Sequence, residues 1–478
     1  MTATASGLAL LIAAATGGPA PALADPPGPA VKRVGAKPVL QVDNGWAIYQ
    51  SAKKDNPIFY NTDSNSNFVG SVTVKLKTPG ATTDSYFNAT GIVFAPCPNG
   101  QASCQSSEGG TATGVAIGFG DYLLKAGNKS RGGWASDDDF AAQRTNLALN
   151  PGTIAAVAVG SGGAFAMGQD TAPDSTHQAI VMRLDSAGQT YDPIGTTFLP
   201  PLSGNKSLAT NISKNAILVT GAAPNAAYAH TGDTAWTDLA PKIPASIDGH
   251  KVTKSQALIA NDQGDGYIAG TVTVKETVLD RANANVDVGF VYDITTDTMS
   301  FFSVPGAQVI PLKVLPGGQV VGNLEFILPK SALSNISPAI HPFLFNGPSV
   351  VDLLTTFATG AFQFDYGCQV AIPNNIGELA GACIPDQFTP YNNPETGTPF
   401  YINAALVTPA FVDLNDTIHL NQDGVNPGIR PYRLGIATSI DDEGEVSLIG
   451  TTFSTGGKES QASFIANKSS YNPSNPGS

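Results

Sequence analysis

Charged side chains are scarce in this chain of 478 residues, at 13% of the sequence, which is about half the usual share. Helical periodicity is also missing, because no stretch beyond the N-terminus keeps apolar residues at i, i+3, i+4 and i+7. Glycine and proline are abundant, with 51 and 35 residues, in a chain that is 42% hydrophobic. Such a chain can build a core but is rich in turn formers, which predicts an all-β protein of many short strands.

Basic residues are outnumbered: 25 Lys and Arg face 38 Asp and Glu, so the formal net charge is −13. A surface of this sign repels phosphate backbones and anionic lipid heads, so we expect no nucleic-acid partner. Cations, sugars and proteins remain as partner classes.

Long apolar runs are missing as well, so no segment is expected to span a membrane. The run at residues 8–15 has the length of a secretory apolar core, and Ala22, Leu23 and Ala24 form an A-x-A cleavage pattern. Residues 1–24 are therefore predicted to be a signal peptide, although no Lys or Arg precedes the run. A Pro-rich linker over 25–37 and a disordered tail over 468–478 would flank the folded part. We expect a secreted or cell-surface protein, extracellular or periplasmic.

Cysteine is also rare, with four residues. Sequence proximity favours the pairs Cys97–Cys104 and Cys368–Cys383, one of three possible connectivities, and disulfides suit an exported protein. A metal site would need C-x-x-C spacing or nearby His, and neither is present. Free buried thiols are the remaining alternative.

A sequence motif recurs along the chain: a polar turn containing Gly, a short apolar run, and a final Gly. Successive final glycines are 49 to 69 residues apart, which is typical of a three- or four-strand unit with loop insertions. Polar turn residues such as Asn, Asp and Gly supply the positive φ angles that turns between antiparallel strands need. The final glycines are Gly160, Gly221, Gly270, Gly322, Gly381 and Gly450.

The motif is followed by a second apolar strand, most clearly where "LPGGQVVG" precedes "HPFLFNG" and "NDQGDGYIAG" precedes "VGFVYD". In these residues the chain resembles the HAF-type extracellular repeat of bacterial secreted proteins, with departures at Pro316 and Pro342. The resemblance covers roughly two-thirds of the chain. It implies an exported β-propeller and brings no catalytic residues with it.

The repeats predict one β-propeller domain over residues 38–467, because a unit of three or four strands cannot bury its sheet faces alone. We expect about seven blades, each of three to four antiparallel strands, with six or eight as alternatives and a β-sandwich array as the structural rival. The last unit ends before its third strand. The N-terminal "KPVLQVDNGWAIYQ" is therefore predicted to complete the last blade.

No residue pattern predicts catalysis. His177 and His341 occupy equivalent repeat positions, which favours a structural role, and G-x-S-x-G and H-E-x-x-H motifs are missing. Calcium is the least weak ligand hypothesis, with Asp63 and Asn65 in "NTDSNSN" and Asp262 and Asp265 in "NDQGDG" as candidates. Solvated turns are the favoured interpretation of both segments, so no cofactor is expected.

The leading functional hypothesis is an exported, non-catalytic binding or structural module for a cell-surface, matrix or polysaccharide partner. Aromatic rings could stack on sugars if exposed, the candidates being Trp46, Tyr49, Trp134 and Trp236. Half or more of these rings are expected to belong to the core instead. The alternative is a secreted polysaccharide hydrolase or lyase with its site in the central channel, where the carboxylates would come from different blades. A structural subunit of an extracellular assembly is a third possibility.

Overall fold

The computed structural model describes part of the chain, and its side chains chiefly from Asn225 onward. The described residues are 36–41, 47–51, 58–62, 68–76, 85–94, 116–123, 129–136, 145–146, 153–160, 163–171, 177–184, 191–200, 202, 207, 209–213, 217–220, 225–230, 233–261, 266–371, 373–415, 432–440, 444, 446–453 and 458–467.

Strands dominate these residues, and every pairing between them is antiparallel, which confirms the predicted all-β class. The first two strands are β1 (Ala36–Gln41) and β2 (Ala47–Ser51). Sheet 1 contains β3 (Ile58–Thr62), β4 (Phe68–Leu76), β5 (Ser85–Phe94), β6 (Ala116–Leu123), β7 (Lys129–Ser136) and β8 (Thr145–Asn146). Sheet 2 contains β9 (Thr153–Gly160), β10 (Gly163–Thr171), β11 (His177–Leu184) and β12 (Tyr191–Leu199). Sheet 3 contains β13 (Ala209–Ile212), β14 (Ile217–Thr220), β15 (Ala227–His230) and β16 (Thr237–Asp238).

Four further sheets follow in chain order. Sheet 4 contains β17 (Ser246–Ile247), β18 (His250–Ala260), β19 (Tyr267–Val278), β20 (Arg281–Asp293) and β21 (Thr298–Phe302). Sheet 5 contains β22 (Ala307–Val314), β23 (Val320–Phe326), β24 (Ile340–Phe345) and β25 (Val350–Asp352). Sheet 6 contains β26 (Gly367–Val370), β27 (Glu378–Ile384), β28 (Thr398–Asn403) and β29 (Val412–Asp413). Sheet 7 contains β30 (Tyr432–Ile440), β31 (Val446–Phe453) and β32 (Glu459–Asn467), joined by β2 and β1.

Helical structure within the described ranges is short. Helix α1 (Leu353–Phe357) follows sheet 5, and its N-cap Asp352 accepts a hydrogen bond from the backbone N–H of Thr355. The 3₁₀ turns are Ala240–Lys242, Pro316–Gly318 and Gly360–Phe364.

Each sheet contacts the next one along the chain, and the contacts return to their starting point. Strand β9 contacts sheet 1, β13 contacts sheet 2, and β18 contacts sheet 3. Strands β22, β26 and β30 make the same kind of contact with sheets 4, 5 and 6, and β3 of sheet 1 contacts β30 and β31 of sheet 7. Buried apolar clusters fill the junctions from sheet 3 to sheet 7, where side chains are described. One cluster unites Phe302 of sheet 4 with Val320 and Phe343 of sheet 5.

Sheet 7 joins the two ends of the folded chain, as the sequence predicts. Strand β2 pairs with β32, with Tyr49 opposite Ile465, and β1 pairs with β2. The sheet order is β1-β2-β32-β31-β30. The N-terminal segment thus supplies the outer strands that the last repeat lacks.

Four of the six recurring final glycines lie inside strands and are required by packing. A Cβ on any of them would collide with a backbone carbonyl of the preceding strand and approach a Phe ring of the following strand. The glycines are Gly270, Gly322, Gly381 and Gly450, and the rings are those of Phe290, Phe343, Phe400 and Phe464. All four rings are fully buried. The glycines of the preceding turns do have positive φ angles, as expected; they are Gly266, Gly317, Gly377 and Gly444.

The sequence motif aligns one of the six final glycines with the wrong strand of its repeat. Gly160 ends β9, the first strand of sheet 2, where it pairs with Gly163. Gly322 and its equivalents lie in the strand that follows the first long strand of their sheets. A Gly that ends an apolar run therefore identifies the second long strand of a sheet only when the following strand supplies a Phe that packs against that Gly. Gly221 lies outside the described residues.

Buried Asn side chains bind each of the later sheets to the first strand of its successor. Asn323 of sheet 5 donates from Nδ2 to Val370 O and accepts at Oδ1 from Val370 N, at 3.0 and 2.9 Å. Asn415, after sheet 6, makes the same pair of bonds with Leu434, both at 3.0 Å. Asn261 donates to Val314 O at 3.1 Å. These bonds satisfy polar groups that the apolar junctions would otherwise bury alone.

Candidate functional site

Three long connections meet at one end of sheets 5 and 6. They follow β23, β25 and β27 and cover residues 327–339, 353–366 and 385–397. Strands β23 and β25 are both antiparallel to β24, so their C-terminal ends lie at the same end of sheet 5. Hydrogen bonds from Ser337 to the connection after β27 bring the C-terminal end of β27 to the same place. We call the three connections together the platform.

Ser337 joins the parts of the platform to one another. Its backbone N–H donates to Gln387 O at 2.7 Å, and its hydroxyl donates to Thr389 O at 3.2 Å. Its own carbonyl accepts a hydrogen bond from the Tyr366 hydroxyl at 3.1 Å. A single residue of the first connection is thus bonded to the other two, which orders all three.

Tyr391 adds a second link between the connections. Its hydroxyl accepts from Ile340 N at 2.9 Å and donates to Pro338 O at 3.1 Å. Burial raises the pKa of the Tyr391 phenol, with smaller contributions from Tyr366 and Glu325. The hydroxyl protons of Tyr366 and Tyr391 are both committed to backbone carbonyls, so these groups hold the platform together.

The neighbouring sheets anchor the platform from both sides. On the side of sheet 4, Lys330 N donates to a carboxylate oxygen of Asp280 at 2.6 Å, and Arg281 donates to Pro329 O at 3.4 Å. On the side of sheet 7, the Arg433 guanidinium donates to the carbonyls of Glu395 and Gly397. The platform is therefore tied to four sheets.

Large apolar side chains project from each connection of this anchored platform. Leu333 is 63% exposed, Phe364 is 78% exposed and Phe388 is 57% exposed. The backbone beside Phe388 is fixed by its N–H, which donates to Asp386 Oδ1 at 2.8 Å. Two residues before Phe364, the ring of Phe362 is buried against Phe411 with centroids 5.5 Å apart. Each of the three connections thus exposes one large apolar side chain, and exposed apolar side chains that form one contiguous patch mark a binding surface.

Two carboxyl groups at this end have raised pKa values. Burial raises the pKa of Glu325, which lies near the end of β23. Burial, with a smaller contribution from the charge of Asp413, raises the pKa of Asp365 to about 6. Asp365 follows Phe364 directly, and one of its oxygens lies within 4.8 Å of both sulfur atoms of Cys368 and Cys383.

Those sulfur atoms form the disulfide Cys368–Cys383 that the sequence favours, between residues directly opposite each other on β26 and β27. Because both thiols are consumed in that bond, this group, the one metal-type cluster of the described part, does not provide a metal site. Cys97 and Cys104 lie outside the described residues. The calcium candidates Asp63, Asn65, Asp262 and Asp265 lie outside them as well.

The sugar-stacking candidates predicted from the sequence do not form this site. Trp236 is only 7% exposed, so its ring belongs to the core, as expected for half or more of these candidates. Trp46 and the side chains of Tyr49 and Trp134 are outside the described structure. The rings that are exposed, Phe364 and Phe388, were not predicted. Each stands in a Gly-, Pro- or Gln-containing segment ("GAFQFDY" and "PDQFTPY") between repeat strands, and that placement was the available signal.

The two His at equivalent repeat positions have places in strands that suit a structural role. His177 begins β11 and His341 is the second residue of β24, each in the third strand of its sheet. Nδ1 of His341 lies 2.7 Å from Oδ2 of Asp352, the N-cap of α1. The His341 ring also packs edge-on against Phe326, with centroids 4.8 Å apart. The pair ties β24 to the start of the second platform connection.

Neither protein-family models nor curated proteins give a match to this chain. Among solved structures it is similar to the β-propeller domain of the Trilobed protease from Pyrococcus furiosus, with TM-score 0.38 and 9% identity over 73% of this chain and 95% of that one. It is also similar to a PL25 ulvan lyase, with TM-score 0.34 and 10% identity over 92% and 95%, and to Trypanosoma rangeli sialidase, with TM-score 0.34 and 12% identity over 68% and 55%. The activities in these names belong to those proteins.

No helix among the described residues has the length and apolarity needed to cross a membrane.

Proposed function

We propose that the seven sheets are the blades of a seven-bladed β-propeller built from HAF-type repeats. The support is the circuit of contacts from each sheet to the next, which ends where it began. The repeated pairing of a strand glycine with a buried Phe in sheets 4 to 7 supports equal structural roles for those units. A small-angle scattering profile that fits a sandwich array better than a compact toroid would contradict this architecture.

We propose further that the protein is exported and acts as a non-catalytic module that binds polysaccharide through the platform. The observation that carries this proposal is the set of exposed side chains Leu333, Phe364 and Phe388 on three connections that Ser337 and Tyr391 hold in place. Aromatic rings present a flat apolar face that packs on the C–H face of a sugar ring. Rings already held at a fixed site lose little conformational freedom on binding.

The signal peptide predicted from the sequence, the Cys368–Cys383 disulfide and the acidic charge fit this role. A disulfide persists in oxidising compartments outside the cytosol, where polysaccharides and matrix partners are found. Cleavage after Ala24 is expected on export, and N-terminal sequencing of the secreted protein tests it.

A glycan array, probed with the mature protein with and without calcium, tests the binding proposal. We expect binding to a subset of glycans, independent of calcium. Titration calorimetry on a bound glycan should then show a loss of about fivefold for each of Phe364→Ala and Phe388→Ala, because an aromatic contact contributes about 1 kcal/mol. Val407→Ala is the matched control, since Val407 is 97% exposed in the connection at the opposite end of sheet 6. Silence across the array, or equal losses in the control, would contradict the proposal.

The alternative is a polysaccharide hydrolase or lyase, and Glu325 is the observation that favours it. Its raised pKa and half-buried position near Tyr391 suit a general acid or base. If the protein is such an enzyme, new reducing ends or unsaturated sugars will accumulate with array-positive glycans, and Glu325→Gln will abolish that product. Under the binding proposal, neither product forms and Glu325→Gln binds as the parent chain does.

A further inference from the structure

We propose that the platform discriminates against negatively charged glycans and binds uncharged or amino-bearing ones. This inference rests on the proposed function, because it assigns the ligand class of the same surface. It is carried by the formal charges of the platform and by the way its cationic groups are used.

Acidic groups outnumber basic ones on the platform. Its three connections carry Asp365, Asp386 and Glu395 against a single basic residue, Lys330, which gives them a formal charge of −2. Asp386, Glu395 and Lys330 are exposed and Asp365 is half-buried. The whole chain carries −13, so the surrounding field does not reverse this local sign.

The arginines that border the platform are turned toward its backbone. Arg281 donates to Pro329 O, and Arg433 donates to the carbonyls of Glu395 and Gly397. Recognition of a carboxylate or sulfate usually uses the paired N–H groups of an Arg fork. Arg433 uses both terminal nitrogens of its fork and Arg281 uses one in holding the connections, and within the three connections the cationic donor is the Lys330 ammonium.

Exposed uncharged polar residues lie close in sequence to the exposed apolar side chains. Gln363 stands beside Phe364, Asn335 lies two residues after Leu333, and Asn392 lies four residues after Phe388; all three are exposed. Amide side chains both donate to and accept from hydroxyl groups. Rings that stack and amides that bind hydroxyls suit a neutral sugar, and the acidic surplus adds attraction for an amino sugar.

The test uses one β-linked glucan backbone in three forms: unmodified, carboxylated at C6, and amino-substituted. Affinities are measured by calorimetry at 20 mM and 500 mM NaCl. At low salt we expect the carboxylated form to bind at least tenfold more weakly than the unmodified form. The gap should narrow at high salt, because salt screens the repulsion between exposed charges.

Two variants locate the effect. The double change Asp386→Asn and Glu395→Gln should raise the affinity for the carboxylated form several-fold relative to the affinity of the same variant for the unmodified form. Asn keeps the carbonyl oxygen that accepts from Phe388 N and Thr389 Oγ. Asp233→Asn, at an exposed acid in the connection between β15 and β16, is the control and should change nothing.

The possible outcomes distinguish a failure of charge selection from a failure of polysaccharide binding. If the carboxylated form binds as tightly as the unmodified one, and Phe364→Ala with Phe388→Ala weakens both, charge selection is overturned and the binding module stands. Equal responses to the platform variant and to Asp233→Asn would also overturn selection by the platform. If no form binds, and the array is silent too, the polysaccharide-binding function itself is overturned.

Discussion

At the scale of single residues, two kinds of glycine maintain this fold for different physical reasons. Gly322 lies inside β23 under the ring of Phe343, where space is lacking, whereas Gly306 has a φ of 78° and open space around its Cα. The first kind is required by packing density and the second by backbone conformation.

Gly322→Ala is expected to destabilise the protein by about 2 to 3 kcal/mol, because the new methyl group would overlap the carbonyl of Ile310 and approach the Phe343 ring at 2.9 Å. Gly306→Ala should cost about 1 kcal/mol, since only the left-handed backbone opposes it. Urea unfolding of both variants measures the difference. Equal losses would mean that the strand glycine is not limited by packing.

Asp365 makes stability depend on pH in a direction that its environment sets. Its folded-state pKa is raised from 3.8 to about 6 by burial and then by Asp413. The folded state therefore holds this proton more firmly than the unfolded state. The contribution of Asp365 to the free energy of unfolding is greatest below about pH 4 and is lost as the pH rises to about 6. Asp365→Asn should be about 1 to 2 kcal/mol more stable than the parent at pH 7.5, with partial exposure allowed for. The two should be equally stable at pH 4.

The measurement is unfolding by urea at pH 4, 5, 6 and 7.5. Asp413→Asn is an informative control, because removing its charge should lower the pKa of Asp365 and move the loss of stability toward lower pH. A constant difference between Asp365→Asn and the parent across this range would contradict the assignment.

At the scale of secondary-structure elements, the junctions between sheets are apolar surfaces held in register by a few buried amides. Asn323 bonds both the N–H and the carbonyl of Val370. It therefore fixes where the first strand of sheet 6 lies against the second strand of sheet 5.

Asn323→Leu, close in volume, should destabilise the protein by about 2 to 4 kcal/mol, because two backbone groups of Val370 lose their partner in a buried site. Asn346→Leu is the matched control: Asn346 is exposed in the turn between β24 and β25, where its Oδ1 accepts from Ser349. Hydrogen exchange at β26 should accelerate in the first variant only. Unchanged exchange there would show that the junction does not depend on the amide.

Part of this arrangement of strands and connections could be predicted from the sequence. The strands of sheets 4 to 7 and the short disulfide loop follow from local patterns, because turn glycines and alternating apolar residues act over short distances. The long-range pairing of the N-terminal segment could be predicted because the last repeat ends before its third strand. The platform could not be predicted, because Ser337, Tyr366 and Tyr391 come from three connections, and only the assembled sheets bring them together. Gly160 was misaligned because an apolar run followed by Gly fits two different strands of a sheet.

At the scale of the whole molecule, the most consequential pairing is the one between the chain's two ends. Deleting residues 36–51 would leave β32 as a long unpaired edge, and such edges promote association between molecules. We expect the truncated protein to unfold at lower urea concentration and to form oligomers that gel filtration detects. A truncated protein that stays monomeric with the parent's unfolding midpoint would show that β1 and β2 are dispensable.

The pairing of β2 with β32 also bears on the order of events during synthesis. Strand β2 is synthesised early and has no partner for this edge until the ribosome has finished β32, some 400 residues later. Sheet 7 can therefore be completed only after nearly the whole chain has been synthesised, so its closure is a late step of folding.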